Sequence, residues 1–152
     1  MNRLPLIAGV AFAVLSLTAL LLVPLPPGVD QSGSALIDHS SAHSGLIRLQ
    51  ALLTALSLLA LVVVLGFARD RLHGPAGYIF TIGAAVLVVE ISMEVWFTAG
   101  VALHAGELEP ATARTLMDIA AMWGPLLTLA DIMLTGPIVW AARVRRFRDG
   151  LH

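Results

Sequence analysis

The chain contains no cysteine. That excludes disulfides, thiol nucleophiles and thiolate-held metals or clusters. It contains no lysine either, since all nine basic residues are arginine. Charge of either sign is scarce, at 12% of 152 residues, where a soluble domain carries about 25%. A fold this poor in charge cannot cover itself with polar groups, so water is not its only solvent. The net charge of −1 supplies no field to attract nucleic acid, which is excluded as a partner. No phosphate loop and no nucleophile–base pairing is recognisable. A non-enzymatic protein without a cofactor is therefore expected.

Apolar residues are abundant, at 58% of the chain, and mean hydropathy is +0.89. They gather into four stretches: Leu4 to Val23, about Leu49 to Ala68, about Tyr78 to Leu103, and about Leu116 to Ala142. Each reaches the roughly 20 residues that cross a hydrocarbon core of about 30 Å. Spanning segments must satisfy their own backbone hydrogen bonds, which makes them helices. The expected fold is all-α, a four-helix transmembrane bundle forming one integral membrane domain over residues 1–152. Helices are expected at about 4–24, 46–68, 76–104 and 112–142, outer loops at 25–45 and 105–111, and a cytoplasmic tail at 143–152. The first stretch begins after Arg3, as a signal peptide would. It is long, however, and Pro24-Leu25-Pro26-Pro27 follows it with no small-x-small cleavage site, so it reads as a retained helix. It carries small residues at Ala8, Gly9, Ala13, Ser16 and Ala19, which suit close packing within the protomer or in a homodimer.

The short connection Arg69-Asp70-Arg71-Leu72-His73-Gly74-Pro75 makes the second and third helices antiparallel neighbours. Pro110 suits a first helical turn, with Glu107 and Glu109 at the positive end of that helix. Seven arginines (3, 69, 71, 143, 145, 146 and 148) fall on one side of the four stretches and only Arg48 and Arg114 on the other. The positive-inside rule then places both termini and residues 69–74 in the cytoplasm, with the protein in the cell membrane. Trp96, Trp123 and Trp140 read as interfacial anchors. The basic run Arg143-Val144-Arg145-Arg146-Phe147-Arg148 reads as a topology signal, with anionic-lipid recognition as its alternative. Expected partners are membrane lipids and either a second copy or another membrane protein.

The informative residues are polar ones at membrane depth. Glu90 and Glu94 lie in the third stretch and Asp131 in the fourth. A charge at mid-bilayer costs about 2.5–3.5 kcal/mol on insertion scales, so such residues pair, lose their charge or do chemistry. Glu90 and Glu94 are four apart and share a helix face that continues to His104. At about 1.5 Å per residue from inner boundaries at Tyr78 and Ala142, Glu90 lies about 18 Å and Asp131 about 16 Å up. Both are expected to point into the bundle at similar depth and share a proton, with Thr128 or Thr135 beside them. Arg48, at the outer end of the second helix, is expected to reach Glu94 or Asp118. Two readings follow. Arg48, Gln50, Glu90, Glu94, Asp118 and Asp131 form a network that packs helices, or the carboxylates bind a cation or relay protons. Gly124-Pro125 and Gly136-Pro137 flank Asp131 and read either as ordinary membrane-helix residues or as breaks that free carbonyls for a ligand.

No resident metal is expected. The candidate ligands are His39 and His43, four apart beside Asp38, with His104 as a third; they share a face only if residues 34–44 are helical. His73 lies on the opposite side, and His152 in the tail. No pair of histidines sits at mid-membrane on facing helices to hold a haem.

The order of these features resembles a known type of protein. A first helix ends in a Pro-rich loop, and a His-containing segment leads through Arg48 and Gln50 into a Leu-rich helix ending Arg69-Asp70-Arg71-Leu72. The segment Leu108-Glu109-Pro110-Ala111-Thr112-Ala113-Arg114-Thr115-Leu116-Met117-Asp118 precedes the last helix. Over most of its length the chain resembles small multi-pass membrane proteins common in actinobacteria. The resemblance implies a helical membrane fold and lends no activity; those proteins often continue to a fifth and sixth helix. Arginine as the sole strong base, with abundant Ala and Leu, also fits a GC-rich bacterial source.

Overall fold

The computed structural model describes residues 3–28, 30–121 and 124–149. Among them are six helices and no strand: α1 (Leu4–Leu22), α2 (Gly33–Ala42), α3 (Ser44–Arg69), α4 (Pro75–Leu103), α5 (Pro110–Ala121) and α6 (Gly124–Asp149). Four stretches are long and apolar enough to cross a membrane: Leu4–Leu22, Ser44–Arg69, Pro75–Leu103 and Pro110–Val144, the last holding α5 and most of α6. The all-α reading with four spans holds.

Three boundaries differ from the sequence reading. The outer loop at 25–45 contains α2, which Ser32 caps by accepting from the Ala35 amide at 3.3 Å. The fourth expected helix, 112–142, begins two residues early, at Pro110, and its described part comprises α5 and α6. The expected tail is helical through Asp149. Hydropathy stops at Arg143, but arginine is a good helix former and a cation favours a helix C-terminus, so the helix continues past the apolar run. Residues 150–152, with His152, lie outside the described residues, as does Trp123.

The long helices pack in the order α1, α3, α4, α6. The interfaces are α1 with α3, α3 with α4, and α4 with α6; no other pair of these four meets over a comparable extent. The bundle is therefore an open row. Its exposed faces are apolar: Leu6 is 69% exposed, Leu21 74% and Leu59 67%. In water such a surface would aggregate, and in lipid it is already solvated.

Small residues set the close approaches. On α1, Ala8 and Ala19 are buried, and a methyl group at Gly9 would meet the Cγ2 of Val64 on α3 at 4.0 Å. That small-residue face packs within the protomer, although Ala13 itself is exposed. Between α4 and α6 the approach is closer: a Cβ at Gly83 would lie 2.6 Å from that of Met133 and 3.2 Å from the Ala130 carbonyl oxygen. At one end of this interface Leu72, Phe80 and Leu134 form a buried cluster, flanked by Leu65, Ala68 and Ala141. The turn that delivers Leu72 relies on Gly74, whose φ of +61° disfavours any residue with a side chain.

At the opposite end α2 and α5 form a cap over the ends of α3 and α4. Leu36, Ile47, Val101, Ala105 and Ala113 are buried there. A Cβ at Gly33 would run into the Pro110 carbonyl, so α2 meets the start of α5 backbone to backbone. Arg114 fastens the first loop to this cap. Its guanidinium donates to the carbonyls of Gln31 at 3.1 Å and Gly28 at 3.4 Å, and to Asp118 one turn along α5.

Candidate functional site: an unpaired carboxylate between two spans

Glu90 lies on the stripe of α4 that faces α6, seven residues from Gly83 and thus two turns along the same face. It is 6% exposed, and its Oε2 has no hydrogen-bond partner. It lines a cavity of about 310 Å³ whose other walls, Ala85, Val86, Val89 and Leu126, are all apolar. A charge in such surroundings is costly without a counter-ion or donor.

The expected partners are elsewhere. Arg48 is exposed and, among the described residues, makes no ion pair. The expected bridge from Arg48 to Glu94 or Asp118 is therefore not formed. Asp118 is held instead by Arg114, which stands one helical turn away on the same helix, a shorter reach than any from α3. Gln50 is half-buried and its side chain makes no hydrogen bond among those described. The hydroxyls of α6 and the one beside Glu90 on α4 are also committed. Thr128 donates to Gly124 O at 3.1 Å, Thr135 to Asp131 O at 2.7 Å, and Ser92 to Val88 O at 2.7 Å. The expectation that Thr128 or Thr135 serves the Asp131 carboxyl gives way to these backbone bonds, which a helix offers one turn back.

Asp131 corrects a further expectation. It does not point into the bundle: it is exposed, because Ala130, 0% exposed, and Leu134 occupy the face of α6 toward α4. One residue is 100° of helix, which turns Asp131 onto the shoulder. Its depth differs too. Gly83 lies opposite Ala130 and Met133, which puts Asp131 near the level of Gly83, about 10 Å from Glu90 along the membrane normal. The earlier estimate took Ala142 as the inner end of a helix that continues to Asp149. Glu94 is exposed on the capped side of Glu90. The three acids thus form a column rather than a pair.

The proline pairs are unequal. Pro125 is the second residue of α6, where a missing N–H costs nothing. Pro137 is inside α6 and buried, and leaves the Met133 carbonyl without its helical donor.

In the cap, the condition that residues 34–44 be helical is only partly met: α2 carries His39 but ends at Ala42, and His43 is its non-helical C-cap. The His39 and His43 rings still meet, tilted by 36° with centroids 4.6 Å apart, and His43 Nδ1 is 2.9 Å from the His39 carbonyl oxygen. Burial, and then the charge of His43, lowers the His39 pKa below its ordinary 6.5. His104 does not join them; its Nδ1 is 3.4 Å from Glu107. Among the described residues no group of three His, Asp or Glu side chains is placed to hold a metal.

A search of family models, curated proteins and solved structures finds no match to this chain.

Proposed function

We propose that the protein is a non-enzymatic interaction module of the cell membrane, with the start of α1 and the end of α6 in the cytoplasm, that binds another membrane-spanning helix along the α4–α6 face. The observation that carries this reading is the Glu90 carboxylate, buried with an unpartnered oxygen on a cavity at that face. Among the described residues no side chain completes the site: Arg48 makes no ion pair, Arg114 is held by Asp118, and Ser92, Thr128 and Thr135 bond their own backbone. Glu94 and Asp131, exposed on the same two helices, extend the acidic column. Charge complementarity specifies the occupant as a transmembrane helix with a basic side chain at mid-bilayer. A polar bond across helices in lipid contributes about 1–2 kcal/mol in model peptides, enough for specificity.

Synthetic leucine-based transmembrane peptides test this in vesicles by energy transfer. A peptide with one central lysine is expected to associate with the protein about tenfold more tightly than an all-leucine peptide. Glu90→Gln combined with Asp131→Asn should remove the difference. Equal association of the two peptides overturns the reading.

The cavity beside Glu90 favours a second reading, in which the carboxylate takes up a proton or small cation. Its apolar walls supply no polar path to either side, which weighs against transport. Reconstituted vesicles under a pH gradient discriminate: flux abolished by Glu90→Gln supports the second reading, and flux equal to empty vesicles rejects it.

A further inference from the structure

A second cavity, of about 430 Å³, lies at the other end of the α4–α6 interface, between the α3–α4 turn and the last turns of α6. Its polar lining comes from Arg71, His73 and Trp140, and its apolar lining from Leu72, Ala141 and Val144. The volume falls within the range of about 300–1,000 Å³ typical of ligand sites. Neither the acidic column nor the cap contributes a residue to it.

The turn is built to hold this arrangement. Leu72 is 5% exposed and anchored in the cluster with Phe80 and Leu134. Its neighbours Arg71 and His73 are exposed on either side of that anchor. Gly74 takes the left-handed conformation the turn requires, and a Cβ at Gly77 would come within 2.9 Å of the Leu72 carbonyl oxygen, so turn and helix are fitted tightly. Arg71 spends one donor on the Phe67 carbonyl, at 3.2 Å, which fixes the side chain and leaves its other N–H groups for a ligand. Arg69, Arg143 and Arg146 are exposed at the same end of the molecule. Trp140 is 58% exposed, with an apolar ring and a polar N–H suited to the membrane interface.

We infer that this cavity binds the phosphate headgroup of an anionic phospholipid. Arg71 and His73 take the phosphate, Trp140 sits at the headgroup level, and the first methylenes lie against Leu72, Ala141 and Val144. An arginine fork matches phosphate geometry. A free phosphate would use the cationic groups alone and leave the apolar half of the cavity unfilled. A lipid at the end of a membrane span uses both halves.

Native mass spectrometry of the detergent-purified protein, offered equal amounts of phosphatidylglycerol and phosphatidylcholine, tests the inference. Phosphatidylglycerol is expected to be retained about fivefold over phosphatidylcholine, the factor expected of one basic residue near the membrane surface. Arg71→Gln should bring the ratio near parity, Arg71→Lys should restore part of it, and Arg48→Gln, at the other end of the molecule, should leave it unchanged. Inorganic phosphate should not displace the lipid. The inference is overturned by a wild-type ratio near one, by a ratio indifferent to Arg71→Gln, or by displacement with inorganic phosphate, which would mark a free-anion site.

Discussion

Among single residues, Arg114 does most to join distant parts of the chain. A topology count sees only one of two arginines on the outer side, whereas in the fold it ties the first loop to the cap. Its spacing from Asp118 is legible in the sequence as a helical i, i+4 pair. Its bonds to the Gly28 and Gln31 carbonyls are not, because more than 80 residues intervene and only the packing of α2 on α5 brings them together. The two kinds of contact separate in mutants. Asp118→Asn removes an exposed ion pair and should cost less than about 1 kcal/mol. Arg114→Gln also releases two carbonyls and should cost about 1–3 kcal/mol, as charged hydrogen bonds do. Thermal unfolding in detergent measures both, and equal losses would show that the loop contacts contribute nothing. The inward turn of Glu90 was legible as well, since a carboxylate at membrane depth is costly facing lipid; that Glu94 on the same stripe stays exposed was not. Asp131 was not, because a shift of one residue on α6 decides between interface and shoulder, and only the register of Ala130 against Gly83 reveals it.

Between elements, glycine separates two kinds of contact. At Gly9 a methyl group meets Val64 at an ordinary distance, so Gly9→Ala is expected to be neutral or to stabilise α1, gaining helix propensity of about 1 kcal/mol. At Gly83 the same methyl group collides with Met133, and Gly83→Ala should destabilise the α4–α6 pair by about 1–3 kcal/mol through overpacking. Unfolding in mixed micelles should therefore come earlier for Gly83→Ala and no earlier than wild type for Gly9→Ala; a destabilised Gly9→Ala with an unaffected Gly83→Ala would invert the packing described for these helices. Spans α1, α3 and α4 were readable because their hydropathy and their hydrogen-bonded lengths coincide. For α2 and the end of α6 they do not: one is a polar helix held by tertiary contact, the other a helix that outlasts its apolar run. The cap should also respond to pH. Because the folded pKa of His39 lies below its ordinary 6.5, the unfolded state takes up its proton first. Stability contributed by α2 is then complete above about pH 6.5 and declines as pH falls below it. Amide exchange over residues 33–42 should accelerate on acidification, and a His39→Gln variant should lose that dependence; acceleration undiminished in the variant assigns it to another group.

For the whole molecule, the row of four spans has two chemically different ends. One carries the α2–α5 cap with Asp38, Glu107, Glu109 and Asp118, against Arg48 and an Arg114 already neutralised by its partner. The other carries Arg3, Arg69, Arg71, Arg143 and Arg146, with Asp70 and the terminal residue of α6, Asp149, as acids among them. Alternation of antiparallel spans places the start of α1, the α3–α4 turn and the end of α6 on one side, whatever the orientation. Charge chooses the side. Basic residues near span ends resist translocation, and acids contribute little to the bias. The arginine-bearing end should therefore stay in the cytoplasm and the cap should be exported. Because the chain has no cysteine, single introduced thiols report on this without background. Ala35→Cys, in α2, should react with an impermeant maleimide in intact cells, and Asp70→Cys, in the α3–α4 turn, only after permeabilisation. The reverse pattern would invert the orientation and place the Arg71 cavity in the opposite leaflet. Both sites reacting from the same side would contradict α3 as a membrane span, since 26 residues of helix, about 39 Å, separate the two.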